Sequence, residues 1–127
     1  MSFDESLENH LNAVRNRDLE AFRDTLSGDD KITIILPNGS TLRGINEIVD
    51  FHRNWFADKD WTLDLEPVQS WHSENTGCAI FEVSYNDLDA TGNPYQLFYL
   101  LSLVFINQDG QWLLIHDQNT MLTSSRS

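Results

Sequence analysis

Between Phe98 and Ile106 the chain reads Phe98-Tyr99-Leu100-Leu101-Ser102-Leu103-Val104-Phe105-Ile106, which is apolar on both faces of a strand. A strand covered on one side only should alternate apolar with polar residues, so both sides of this one need cover. The run is too short to be a membrane helix, which takes roughly 20 apolar residues, and it carries Ser102. Three further strand-like segments surround it, at 61–72, 77–88 and 111–122. The links between them contain Ser73-Glu74-Asn75-Thr76, Asp89-Ala90-Thr91-Gly92-Asn93-Pro94 and Gln108-Asp109-Gly110, short turns that imply an antiparallel meander.

The first half of the chain has a different period. Phe3, Leu7, Leu11 and Val14, then Leu19, Phe22 and Leu26, recur at helical spacing, with a slip of phase at Asn16-Arg17-Asp18. Asp18 is a good N-cap, so two helices are expected to meet there, with Gly28 ending the second. Lys31 to Leu36, Pro37-Asn38-Gly39 and Ser40 to Arg43 read as a small hairpin. After Gly44, the residues Ile45, Ile48, Val49, Phe51, His52, Trp55 and Phe56 predict a third helix to about Asp58, with Asn46 as its cap.

The expected product is one α+β domain spanning 1–127, with a frayed tail at 123–127. Its 40% apolar content, with seven Phe and four Trp, fills one core rather than two. Once the helices cover one face of the sheet, a second copy of the chain is the expected cover for the other.

Composition excludes several partners. A formal charge of −12 with only eight scattered Lys and Arg argues against nucleic acid and anionic membranes, which are held by basic side chains. The N-terminus lacks the basic and apolar regions of a secretory signal, so a cytoplasmic location is expected. Cys78, the single cysteine, cannot form an internal disulfide and reads as a buried structural thiol. No metal is expected, because no His-x-x-x-His or Cys-x-x-Cys spacing is present, and no cofactor is implied.

The order helix, helix, hairpin, helix and four-stranded meander resembles the nuclear transport factor 2-like superfamily, in particular its SnoaL-like polyketide cyclases and ketosteroid isomerases. The segments Asn16-Arg17-Asp18-Leu19-Glu20-Ala21-Phe22, Arg43-Gly44-Ile45-Asn46-Glu47-Ile48 and Asp109-Gly110-Gln111-Trp112-Leu113-Leu114-Ile115-His116-Asp117 carry the likeness. It implies a cone, in which a curved antiparallel sheet wraps around two to three N-terminal helices with a pocket between them. Matched along the Asp-Gly turn, Asp117 falls where SnoaL-like cyclases carry their catalytic aspartate. His10 falls at the catalytic tyrosine of ketosteroid isomerases, and His52 at another pocket tyrosine of those enzymes.

Strand alternation divides the last strand into Trp112, Leu114, His116 and Gln118 on one face and Leu113, Ile115, Asp117 and Asn119 on the other. The resemblance makes the face of Asp117 the concave one. The same matching turns Phe98, Leu100, Ser102 and Val104 inward, together with Phe81, Val83 and Tyr85. Leu97, Tyr99, Leu101, Leu103 and Phe105 would then face outward and, with Trp112, Leu114 and His116, form a homodimer surface.

The expected pocket therefore holds Asp117 and His10 as the catalytic pair, lined by His52, Trp55, Phe81, Val83, Tyr85, Phe98, Leu100, Ser102, Ile115 and Asn119. An aspartate on an apolar face has its charged form disfavoured, which raises its pKa toward that of a working acid or base. The bland alternative is a pocket floor in which Asp117 accepts hydrogen bonds from His10, His52, Tyr85 or Asn119. Leu36 or Ile34 stands at the isomerase base position and Ser102 at that of its acidic donor, so the usual ketosteroid chemistry is not expected. Trp55, Phe56, Trp61 and Trp71 would form either an aromatic cage or plain core. Two functions stay open. One is a small-molecule-binding protein that moves a proton or adds water on an apolar, carbonyl-bearing substrate. The other is a non-catalytic dimeric association or ligand-sensing module.

Overall fold

The structure, a computed structural model, describes residues 1–122; the tail at 123–127 lies outside the described residues. Helix α1 (Phe3–Arg15) opens with a reciprocal cap, because Ser2 Oγ accepts from the Glu5 amide at 3.1 Å while Glu5 Oε1 accepts from the Ser2 amide at 3.0 Å. Helix α2 (Leu19–Asp24) is capped by Asp18, as expected, through a 3.1 Å bond from the Ala21 amide. It stops short of Gly28, however. The Thr25 carbonyl and Ser27 amide bond to the backbone of Leu114, so the chain has already left the helix to join the sheet.

Strands β1 (Thr33–Ile35) and β2 (Thr41–Arg43) form the small hairpin and lead into helix α3 (Gly44–Ala57). Arg43, not Asn46, is the N-cap of α3, and the Glu47 carboxylate accepts from the Arg43 amide at 2.9 Å. The long strands follow: β3 (Thr62–His72), β4 (Thr76–Leu88), β5 (Pro94–Gln108) and β6 (Gln111–Met121). Together they make one six-stranded sheet in the order β2-β1-β6-β5-β4-β3. The sheet is mixed rather than wholly antiparallel, since β1 lies parallel to β6.

The three helices pack on one side of this open sheet, the α+β cone expected from the element order. The core between the layers is built from Phe3, Leu7 and Leu11 of α1, Phe22 of α2, Ile48 and Phe56 of α3, and Leu103, Phe105, Trp112 and Leu114 of the sheet.

The expected facing of β5 is reversed. Leu103 and Phe105 are fully buried and Tyr99 nearly so, whereas Phe98, Leu100, Ser102 and Val104 are half-exposed on the outer face. Register explains it: Leu103 lies directly opposite Asp117, and cross-strand partners share a face. A one-residue error of phase turns every side chain of a strand over.

In β6 neither face of the simple alternation survives. The register shifts where Phe105 pairs with Leu114 but Val104 pairs with His116, leaving Ile115 as the extra residue of a β-bulge. Trp112 and Leu114 therefore point to the helices before the bulge, and Asp117 and Asn119 point the same way after it. Consequently Leu97, Tyr99, Leu101, Leu103, Phe105, Trp112 and Leu114 are on the helix side and cannot be an outer dimer surface. Of that expected set only His116, half-exposed and paired with Val104, is on the outer face. Cys78 is half-buried in the alternate phase to Ala79, not sealed in the core.

Candidate functional site

Between α1, α3 and the concave face of the sheet lies a cavity of about 210 Å³. Helix α1 supplies His10, Leu11 and Val14, and α3 supplies Phe51, His52 and Trp55. The sheet supplies Leu63 and Leu65 from β3, Val83 and Tyr85 from β4, Leu97, Tyr99 and Leu101 from β5, and Asp117 and Asn119 from β6. Asp117, His10 and His52 thus share one space, together with Trp55, Val83, Tyr85 and Asn119.

Other expected lining residues lie elsewhere. Phe98, Leu100 and Ser102 are on the outer face, and Ile115 is the bulge residue packed beside the core. Phe81 is buried beside α1 in a separate shallow groove with Leu7 and Leu11. The supposed aromatic cage does not assemble. Trp55 lines the cavity and stacks on the buried Trp61 at 4.3 Å, Phe56 is core, and Trp71 is 56% exposed outside the cavity. Among the lining residues that sequence reasoning missed, Leu97, Tyr99 and Leu101 are found by the cross-strand partnership of Leu103 with Asp117, whereas Phe22, Phe51, Leu63 and Leu65 come from elements whose facing toward the cavity no local pattern marks.

The polar groups have definite states. Asp117 is surrounded by protein yet borders the cavity; burial pushes its carboxyl up to about 7, and the Asn119 amide at 2.9 Å only partly opposes this. Asn119 also donates to the Ile35 carbonyl at 2.7 Å, which fixes its amide orientation.

Burial takes His10 down to about 3, aided by the neighbouring His52, so it is neutral at physiological pH. Its Nδ1 lies 2.7 Å from Thr25 Oγ1, whose own proton goes to the Phe22 carbonyl at 2.6 Å; Nδ1 is therefore the protonated nitrogen. Burial likewise takes His52 down to about 4, its bond to Ile48 pulling the other way. His52 Nδ1 donates to that carbonyl at 2.7 Å, and the ring stacks on Phe22 at 4.2 Å.

At the rim, Trp55 Nε1 donates to the Tyr85 hydroxyl at 3.0 Å, and Tyr85 donates onward to Asp87 Oδ2 at 2.9 Å. Burial first, then the Asp87 interactions, raise the Tyr85 phenol well above its ordinary value. For Asp87 burial acts upward, but hydrogen bonds from the Leu88 amide, Tyr85 and Tyr95, with a side-chain interaction with Asp58, together hold it below the usual carboxylate range. Tyr99 is raised by burial and then by the charge of Asp117, and among the described residues its hydroxyl has no hydrogen-bond partner. A proton donor and acceptor that changes state near neutrality is thus held in a largely apolar space, with neutral imidazoles beside it.

Residues 4–124 match the model of the SnoaL-like domain, nearly the whole chain. The chain belongs to the SnoaL-like domain family. Solved structures agree on the fold at low sequence identity. An uncharacterised protein with a cystatin-like fold from Caulobacter vibrioides is 18% identical with a TM-score of 0.81, over 94% of this chain and 87% of that one. A ketosteroid isomerase-like protein from Erwinia carotovora is 17% identical with a TM-score of 0.73, over 95% and 94%. The association domain of C. elegans CaMKII is 20% identical with a TM-score of 0.66, over 91% and 90%. No curated protein sequence matches the chain.

Within this SnoaL-like domain, the described residues contain no cluster of three or more His, Cys, Asp or Glu suited to a metal ion. Nor is any helix among them long and apolar enough to cross a membrane.

Proposed function

We propose that this SnoaL-like domain binds a small apolar molecule in the α1–α3–sheet cavity and uses Asp117 to give or take a proton there. The observation that carries the reading is the position of Asp117. Its carboxyl, raised to about 7, stands in an apolar cavity beside two imidazoles too deeply buried to be charged. An acid or base works best when its pKa is near the working pH, and only Asp117 among these three meets that condition.

Size narrows the substrate. A 150 Å³ apolar cavity accommodates benzene, so about 210 Å³ suits a single ring with a short substituent rather than a fused polycycle. The carbonyl group expected from the family resemblance is less well provided for, since few donors are free to receive it. Asp117→Asn tests the reading: the variant should keep its fold and lose at least about a hundredfold in turnover of any substrate found by screening. A carbon-13 titration of the Asp117 carboxyl should give a midpoint near 7, whereas an ordinary carboxylate midpoint removes it from acid–base work.

A second reading rests on a separate observation. Phe98, Leu100, Val104 and Ile106 leave a half-exposed apolar band on the outer sheet face, and a structural neighbour is an association domain. On this reading the face pairs two copies of the chain. Leu100→Asp should then convert a dimer to a monomer in sedimentation analysis, and an unchanged mass would show that the face is not the contact.

A further inference from the structure

The polar lining of the cavity is unbalanced, and the imbalance follows from bonds already made inside the protein. Both amide hydrogens of Asn119 are committed, to Ile35 and to Asp117, which leaves its Oδ1 as an acceptor. The Nδ1 hydrogens of His10 and His52 are committed to Thr25 and Ile48, which leaves both Nε2 atoms as acceptors without a protein partner. Neither Nε2 is sealed in the interior; among the described residues Ser27 Oγ is the one buried side-chain polar atom lacking a partner. Trp55 spends its hydrogen on Tyr85, and Tyr85 spends its own on Asp87, so the Tyr85 oxygen can only accept again. The second oxygen of Asp117 is free as well. Against these acceptors the described residues set one uncommitted donor, the Tyr99 hydroxyl, besides the proton of Asp117 in its acid form.

Among the described residues no Lys or Arg lines the cavity, so an anionic ligand would enter with none of them to neutralise it. Aromatic side chains of Phe22, Phe51, Trp55 and Tyr99 line it instead and suit a positive charge, and the chain's formal charge of −12 draws cations toward it. We infer that the cavity's ligand is a small apolar amine bound as its ammonium, its N–H groups donating to Asp117 and the unclaimed acceptors. An ammonium offers three donors and no acceptor, the complement of this lining. A ketone or aldehyde would set acceptor against acceptor and leave buried groups unpaired. This rests on the reading of the cavity as the ligand site, and it replaces the expected carbonyl with a donor group.

Benzylamine, benzyl alcohol, benzaldehyde and benzoate share one ring and fit the volume, so they make a matched set of probes. Calorimetry with the full chain at about pH 8 should show benzylammonium binding at least about tenfold more tightly than benzaldehyde, with the alcohol between and benzoate absent. Asp117→Asn should remove that preference. The titratable groups facing Asp117 in the cavity are His10 from α1, His52 from α3, Tyr85 from β4 and Tyr99 from β5. With both histidines already neutral, acidification to about pH 5.5 should weaken the amine about tenfold or more as Asp117 takes up its proton.

Benzaldehyde binding as well as the amine, or no probe binding, overturns the inference; so does an amine affinity indifferent to Asp117→Asn. If the amine fails while Asp117 still titrates near 7, the acid–base reading stands and this one falls. If Asp117 titrates as an ordinary carboxylate while the amine complex depends on it, the reverse holds.

Discussion

Arg17 and Ser27 show two fates of a polar side chain outside the cavity: one braces the cavity wall and the other is left without a partner. Arg17, in a left-handed conformation with φ 53°, donates from Nε to the Asp58 carbonyl at 3.1 Å and from its terminal nitrogen to that of Trp61. Its guanidinium lies 3.8 Å over the Trp61 ring, which in turn stacks on the cavity residue Trp55. Sequence reasoning places Arg17 in a phase slip and in a family-like segment but gives it no contacts, because its partners lie more than forty residues away. Ser27 is the opposite case, a hydroxyl buried without a partner while its backbone amide joins β6. A buried unsatisfied hydroxyl costs stability, so Ser27→Ala should be neutral or stabilise by up to about 1 kcal/mol. Urea denaturation would show this as a raised midpoint with an unchanged slope, and a clear fall would mean that the hydroxyl is bonded.

The elements themselves were largely legible, because capping and periodicity are local: Asp18, the hairpin and the long strands all follow from neighbours in sequence. What was hidden was long-range. Ser102 and Leu100 seemed cavity residues and Leu101 an outer one because β5 is apolar on both sides, which removes the contrast that would fix its facing. The bulge at Ile115 is equally silent, since nothing in Leu113-Leu114-Ile115-His116 distinguishes an extra residue from a regular one. Gly77 shows how closely helix and sheet approach: a Cβ there would lie 2.3 Å from the Phe3 ring, which is itself packed edge-on against Phe105 and Trp112. Gly77→Ala should therefore cost about 1–3 kcal/mol by pushing α1 away from β4. Thermal unfolding would measure it, and no loss would show that the Phe3 ring can move aside.

For the whole molecule, the cavity's titratable groups couple its ligand chemistry to its stability. Between about pH 4.5 and 6 the unfolded chain holds protons on both His10 and His52, whereas the folded chain holds one on Asp117 alone. The unfolded state therefore binds one more proton, and from these three groups stability should rise by about 1.4 kcal/mol per pH unit across that window. Asp117→Asn removes the compensating proton, so its slope should double to about 2.7 kcal/mol per unit. Above about pH 7 Asp117 is ionised in both states and adds no further slope, but it carries its full desolvation cost, and there the variant should be the more stable protein. Equal slopes for the two proteins would place Asp117 in a wetter setting than the cavity provides.

The bulge in β6 decides which of its side chains meet the helices. Before Ile115 the strand turns Trp112 and Leu114 toward the helices, and beyond it the same side receives Asp117 and Asn119. The bulge, rather than the chemistry of any side chain, makes that exchange. Without the bulge but at its present length, β6 would keep its polar pair and show it to the outside, with His116 and Gln118 in its place within; without Ile115 the strand would alternate regularly and keep Asp117 and Asn119 inward. In this fold, then, the looping-out of a single residue decides whether the last strand gives the chamber a carboxylate or an imidazole.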